Sequence, residues 1–256
     1  METKPLVKSL SQLGDLIQSV YRRLVPDKES PTFWINKYLA NTSLTIVQIG
    51  SNDGVSGDPI FKLVKKNTNW QVLFVEPVPY LFDRLKKNYT QDSRFLFENA
   101  AINDGTNQVF YSVSEDANNY IANLPPWYDQ LGSFNRGNIV HHLDGILEPY
   151  IIATDVNGLT LSQLLTKNKI NRLDLLHIDT EGYDYKILSQ LDLKTYNPTL
   201  ILFEYVHLQD AEKAEALTFL KESYHIFRFR GDFLCFAKTK MSERDFTTLK
   251  EKLITE

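Results

Sequence analysis

The sequence predicts an α/β fold in which a mostly parallel sheet carries helices on both faces and closes with an antiparallel hairpin. Three observations predict it. Short β-branched runs alternate with helical segments between residues 44 and 206, and strands separated by helices need crossover connections, which make neighbouring strands parallel. The runs stop at small, polar or acidic residues, as where a buried strand meets a turn. The chain then reads Tyr224-His-Ile-Phe-Arg-Phe-Arg230, Gly231-Asp232 and Phe233-Leu-Cys-Phe-Ala-Lys238, two strands joined by a tight turn.

Taken in order, the elements begin with a helical extension over 1–40. Leu6, Leu10, Leu13, Ile17, Val20, Tyr21 and Leu24 recur at helical spacing, with Arg22 and Arg23 near the end. Such a stripe packs on the domain or across a homodimer more readily than on a membrane surface. A short helix over 33–39 leads to the first strand, Leu44-Thr-Ile-Val-Gln-Ile49. A helix over 59–66, a strand over 71–76, a helix over 78–89 and a strand over 94–99 follow. Further on come an extended segment over 108–113, a helix over 161–168, a strand over 173–179, a helix over 183–191 and a strand over 200–206. A helix over 211–222 precedes the hairpin, and an amphipathic helix over 242–254 ends the chain. The expected organisation is the extension over 1–40, the main domain over 41–240 and a terminal helix within 241–256. Residues 114–150 are the least regular stretch, with Pro125-Pro126-Trp127-Tyr128 and His141-His142. Long irregular segments in compact domains are usually functional, so this one is read as an insertion that covers a substrate.

Composition excludes several classes. With 256 residues, 43% apolar and 12% aromatic, the chain can bury a substantial core as one domain with an appendage. Net charge is −4, and the charges are interspersed, so no basic stripe offers the counterion release that drives nucleic-acid binding. Cys235 is the single cysteine, which rules out a disulfide framework or a cysteine-based zinc site within one chain and reads as a small buried hydrophobe. No run of eighteen apolar residues occurs and the first thirty lack a signal-peptide stretch, so a soluble, cytoplasmic protein without a transmembrane segment is expected.

In open α/β sheets, ligands bind beyond the carboxyl ends of the strands where strand order reverses. Four such ends stand out. The first is Val47-Gln-Ile-Gly-Ser-Asn-Asp-Gly54, whose glycines let the backbone pass close to a ligand. Asn52 and Val55 break the dinucleotide pattern GxGxxG, and the phosphate-binding lysine motif is missing. The second is Leu73-Phe-Val-Glu-Pro77, where Glu76 can accept two hydrogen bonds from ribose hydroxyls or be a solvated strand end. At the third, Phe97-Glu-Asn-Ala-Ala-Ile102, small residues leave room for a flat ring or serve packing. The fourth is Leu175-Leu-His-Ile-Asp-Thr-Glu-Gly-Tyr-Asp184. Glu181 and Asp184 there can cap the following helix, whereas Asp179 closes a buried strand and faces the cleft.

These motifs resemble FkbM-type S-adenosylmethionine-dependent methyltransferases. The matching elements are Val47 to Gly54, Phe74-Val-Glu-Pro77, Asn99-Ala-Ala-Ile102, Gly132-Ser133, Thr160-Leu-Ser-Gln-Leu164 and His177-Ile-Asp-Thr-Glu-Gly-Tyr-Asp184. The resemblance implies a class I methyltransferase, Rossmann-like fold with S-adenosyl-L-methionine as cofactor. The cofactor contacts it implies are Gln48, Gly50, Ser51, Asn52, Asp53 and Gly54 along the methionine part, Glu76 with Pro77 at the ribose, Asn99, Ala100 and Ala101 near adenine, and Ser133 and Asp179. The family commonly methylates hydroxyls of sugars, polyketides and other secondary metabolites, so the implied partner is a small-molecule or glycan acceptor. One departure is Gln48, where members usually carry Asp: an amide can meet the cofactor's amino group but supplies no charge. The closing hairpin agrees, since nicotinamide-binding sheets are usually parallel to the end.

Methyl transfer is an in-line displacement that depends on placing the acceptor oxygen, and a neutral hydroxyl calls for a general base or a metal. Candidate catalytic residues are Asp179, His207 and Glu204, with His141 or His142 from the insertion; His177 alternates with Asp179 along its strand and reads as a packed, hydrogen-bonded core residue. Asp179 with Glu204 could bind magnesium, but two carboxylates do not define a site, so a divalent metal is not indicated. The competing readings are a nicotinamide-dependent oxidoreductase or sugar-nucleotide enzyme, and a non-catalytic binding module on the same fold.

Overall fold

A computed structural model describes residues 28–89 and 92–254. The stripe from Leu6 to Leu24 lies outside them. The chain divides between Ala40 and Asn41 into two compact units. In the first, α1 (Pro31–Leu39) starts where the Ser30 side chain accepts from the Thr32 amide, with Pro31 in the first turn, where its missing N–H costs nothing.

The second unit opens β1 (Leu44–Ile49), α2 (Phe61–Lys66), β2 (Trp70–Val75), α3 (Pro79–Asn88), β3 (Phe95–Glu98) and β4 (Ala101–Ile102). It continues with β5 (Gln108–Val113), α4 (Ala117–Tyr120), β6 (Gly132–Ser133), α5 (Arg136–Val140), β7 (Ile151–Val156), β8 (Gly158–Leu159) and α6 (Leu161–Lys167). The last elements are β9 (Leu175–Ile178), α7 (Asp184–Leu188), β10 (Leu200–Glu204), α8 (Asp210–Leu220), β11 (Tyr224–Phe229), β12 (Asp232–Ala237) and α9 (Glu243–Leu249).

Seven strands form the main sheet in the order β11-β12-β10-β9-β1-β2-β3. The pairs from β3 through β10 are parallel, and β12 runs antiparallel to both β10 and β11. This is the mostly parallel α/β sheet with a terminal hairpin expected from the sequence. Strand order reverses between β1 and β9. Register fixes what gathers there. Ile49 is opposite both Val75 and Ile178, and Ile178 is opposite Phe203, so the next residues, Gly50, Glu76, Asp179 and Glu204, line one carboxyl edge.

The core explains the helices' placement. On one face, Val47, Ile49, Leu73, Val75, Leu176, Ile178, Ile201 and Phe203 pack with Leu161, Leu164 and Leu165 of α6 and Ile187 and Leu188 of α7. Thr160 and Gln163 form a reciprocal capping box that starts α6. The rings of Phe74 and Tyr89 meet at 4.5 Å, and Tyr89 reaches Phe95 at 4.8 Å. Such pairs contribute about 0.5–1.5 kcal/mol beyond area burial.

The segment between β4 and α6 is more ordered than its sequence indicates. β5 pairs antiparallel with β6 and β7, and β4 pairs parallel with β8. The strand over 151–156 was not foreseen because most of its side chains are exposed or half-exposed, which removes the apolar run that marks a strand. Within 114–150, Ala117, Tyr128, Leu131, Ile139 and Leu147 join Val113 in a separate small core. The expected strand over 173–179 narrows to β9, with Asp174 just before it accepting from the Thr45 amide through its side chain, and the helix over 183–191 narrows to α7. No helix among the described residues is long and apolar enough to cross a membrane. Cys235 is fully buried in β12.

Candidate active site at the carboxyl edge of the sheet

The turn after β1 is built to approach its neighbours closely. Gly50 has φ +78°, and a Cβ there would stand 1.7 Å from the Asp179 carbonyl oxygen. Only glycine fits both constraints. At Gly54 a Cβ would meet Leu85 and Tyr89 within 2.6 Å, and the Tyr89 hydroxyl donates to the Gly54 carbonyl at 2.7 Å. Gly54 therefore serves packing on α3. Ser51 Oγ donates to the Gln48 carbonyl and accepts from the Val75 amide, and Asp53 accepts from the amides of Val55 and Ser56. Both side chains are spent within the turn.

Glu76 follows β2 and is almost wholly buried, at 3% exposure. Its two oxygens accept from the amides of Asn52 at 2.8 Å and Val78 at 2.9 Å. Burial pushes its carboxyl up to about 7, against these two hydrogen bonds and with some help from Asp179. Asn99 is a clamp: its amide nitrogen donates to the carbonyls of Glu76 and Pro77, holding the strand end in place.

A pocket opens over this edge. Of the residues singled out from the sequence, Gly50, Asn52, Glu76, Pro77, Ala100, Ala101, Ser133 and Asp179 line it. Gln48, Ser51, Asp53, Gly54 and Asn99 are not among the lining. Gln48 is buried with its Oε1 unpartnered, and by strand alternation its side chain leaves the sheet on the face away from Ile49. Phe110, Gln130, Phe134 and Tyr183 also line the pocket, and sequence reasoning missed them as ligand contacts. The rings of Phe134 and Tyr183 lie 5.0 Å apart. Their signal was position alone, beside Gly132-Ser133 and after Gly182.

The same edge gathers acids. Burial pushes Asp179 up to about 6. Burial, then the charges of Asp179 and Asp184, push Glu181 up to about 8. Burial, followed by four neighbouring carboxylates, pushes Glu204 up to about 10. Asp232 stands opposite Glu204 in the β10–β12 ladder and is pushed up to about 7 by burial and then Asp179. His207 Nε2 lies 3.3 Å from Glu181 Oε2 and 3.8 Å from Glu204 Oε1. Burial, and then His142, lowers its pKa. His177 is in the core as expected, opposite Gln48, but its Nδ1 lacks the expected hydrogen-bond partner; burial holds it down at about 4.

A second cavity is lined by Asn138, His141, His142, His207 and Gln209, and it shares Gly132, Ser133 and Glu181 with the first. The three histidines read as base candidates thus meet at one wall, with the rings of His142 and His207 5.9 Å apart.

Against known structures, the chain is similar at low identity to several proteins. It matches a fibrillarin/Nop5p complex at 10% identity and TM-score 0.38, over 76% of this chain and 72% of that one. It matches a Methanococcus jannaschii fibrillarin pre-rRNA processing protein at 9% and 0.39, over 76% and 66%. It matches a TehB-like S-adenosylmethionine-dependent methyltransferase from Corynebacterium glutamicum at 11% and 0.35, over 90% and 97%. These likenesses are too remote to carry the assignment. No curated protein matches it in sequence. Residues 48–230 match the Methyltransferase FkbM domain, a stretch that includes every pocket element described above. With the hairpin-closed parallel sheet of class I methyltransferases, that match settles the family: the chain belongs to the FkbM methyltransferase domain family.

Proposed function

We propose that this S-adenosylmethionine-dependent methyltransferase acts on a hydroxyl oxygen of a sugar, glycan or other polyhydroxylated metabolite. The observation that carries the reading is the continuity of two unlike cavities. The first, over the switch point, combines a buried carboxylate, small residues and three aromatic rings; the second is lined by Asn138, three histidines and Gln209 beside Leu131 and Ile139, and shares Gly132, Ser133 and Glu181 with it.

The first cavity fits the cofactor. Glu76 is held by two amides, each oxygen keeping a lone pair for a ribose hydroxyl. Ala100 and Ala101 leave space for adenine, and the Gly50 turn admits backbone approach to the methionine part. When bound, S-adenosylmethionine supplies an electrophilic methyl carbon on a sulfonium. The chain's own task is to hold an acceptor oxygen in line with it and to exclude water, which Phe134 and Tyr183 serve from the pocket wall. Asp179 is placed to take the acceptor's proton: at about 6 it is ionised at neutral pH yet close enough to it to act as a base. His207 and Glu204 are the other candidate groups. In this reading, residues 114–150 form the acceptor side of the site, since Asn138, His141 and His142 of this stretch line the second cavity.

Thermal-shift measurements with S-adenosylhomocysteine and NAD, followed by isotopic methyl transfer to a panel of sugars and polyhydroxylated metabolites, test the proposal. Stabilisation by S-adenosylhomocysteine and labelled ether products are expected. Stabilisation by NAD alone would overturn it.

A further inference from the structure

We propose that Glu181, Glu204 and His207 bind one divalent first-row transition-metal ion, of the Mn²⁺ type, beside the wall shared by the two cavities. One donor atom from each residue lies within 4.8 Å of the others. His207 Nε2 is 3.3 Å from Glu181 Oε2 and 3.8 Å from Glu204 Oε1. An octahedral ion with bonds of about 2.1 Å places adjacent donors roughly 3 Å apart and opposite donors roughly 4 Å apart. The observed spacings need only small side-chain shifts to reach those values.

Unsatisfied atoms nearby point to a cation independently. Glu204 Oε2 is buried and has no hydrogen-bond partner. Asp184 is 0% exposed; its Oδ2 accepts from the Thr180 hydroxyl and the Gly182 amide, its Oδ1 has no partner, and its charge acts on both Glu181 and Glu204. Buried acids with an oxygen left unpaired are costly unless a cation or protons neutralise them. Among the described residues, no lysine or arginine forms an ion pair with Asp179, Glu181, Asp184, Glu204 or Asp232; the contacts of Glu181 and Glu204 are with His207.

The donor set also bears on the ion. Carboxylates suit magnesium, calcium or manganese and imidazole suits zinc, copper, iron or nickel, so two carboxylates with one imidazole favour a first-row transition metal over magnesium or calcium. The group differs from the Asp179–Glu204 pair that the sequence offered, because it takes Glu181, which the sequence reading assigned to capping a helix. Where the methyltransferase reading above holds, His207 is a ligand and Asp179 remains as the base.

The experiment titrates full-length, chelator-stripped protein with Mn²⁺, following the free-ion electron paramagnetic resonance signal, and with Zn²⁺ by calorimetry. S-adenosylhomocysteine binding is measured on the same samples. One equivalent of either ion is expected, with apparent affinity reduced about tenfold or more in Glu204→Gln and in His207→Asn; whichever of the two keeps the wild-type melting temperature is decisive. No ion bound at millimolar concentration, or binding that both variants retain, overturns the metal site. If S-adenosylhomocysteine still binds in that case, the metal site alone falls; if the ion binds and S-adenosylhomocysteine does not, the cofactor pocket falls instead.

Discussion

The backbone amide of Asn52 donates to Glu76 Oε2 at 2.8 Å, tying the turn after the first strand to the acid that ends the second. Val78 holds the other oxygen, so the carboxylate is fixed before any ligand arrives. An oriented acceptor contributes more than a mobile one because less freedom is lost on binding. Glu76→Ala is expected to weaken S-adenosylhomocysteine binding by about 1–3 kcal/mol, the range for a hydrogen-bonded charged group. Calorimetry reads this directly, and unchanged affinity would remove Glu76 from the site.

Gly50 faces a different demand. Its φ of +78° is unfavourable for a side chain, and a Cβ would stand 1.7 Å from the Asp179 carbonyl oxygen. Since that oxygen belongs to the backbone at the sheet's edge, no side-chain rotation relieves the clash. Gly50→Ala should therefore destabilise the fold by about 2 kcal/mol or more, seen as a lower urea midpoint. A variant as stable as wild type would show that the two turns are not this close.

Asp179→Asn removes a proton acceptor while preserving shape. Turnover is expected to fall by about 10²–10⁴-fold, the usual worth of a general base, while the urea midpoint moves little. Stability need not suffer, because burial disfavours the charge of Asp179 in the folded state. Normal turnover in this variant would place the chemical centre elsewhere.

The sheet was legible because its strands are buried on both faces, so Leu44–Ile49 and Leu200–Glu204 read as largely apolar runs. Glu76 and Asp179 were legible for a related reason: each is the first charge after such a run, and parallel register brings strand ends together. Ser51 and Gly54 were legible as motif but not as role. Nothing local shows that Ser51 Oγ is engaged by Gln48 and Val75, or that Tyr89 closes on Gly54, since Val75 and Tyr89 are more than twenty residues away in sequence. β7 was hidden by its exposed face. Phe134 and Tyr183 come from separate segments and meet only in the folded chain. The Glu181–His207 contact depends likewise on two strand-end turns converging.

The pH dependence of Glu76 separates its structural and ligand-binding contributions. Burial raises its carboxyl from 4.5 to about 7, while the amides of Val78 and Asn52 pull it down and the charge of Asp179 pushes it up. Between those two values the folded chain holds a proton that the unfolded chain has released, so this group's contribution to stability falls as pH rises from about 4.5 and levels off above about 7. Ligand binding has the opposite sign, because the ionised form is the better acceptor for ribose hydroxyls. S-adenosylhomocysteine affinity should therefore rise with pH through about 7 while the stability advantage of wild type over Glu76→Gln shrinks across the same interval. Urea titrations and calorimetry of both proteins from pH 5 to 8 check the pair of slopes. If wild type and Glu76→Gln show parallel curves in both measurements, the buried carboxyl does not titrate in this window and the proposed ribose contact loses its electrostatic basis.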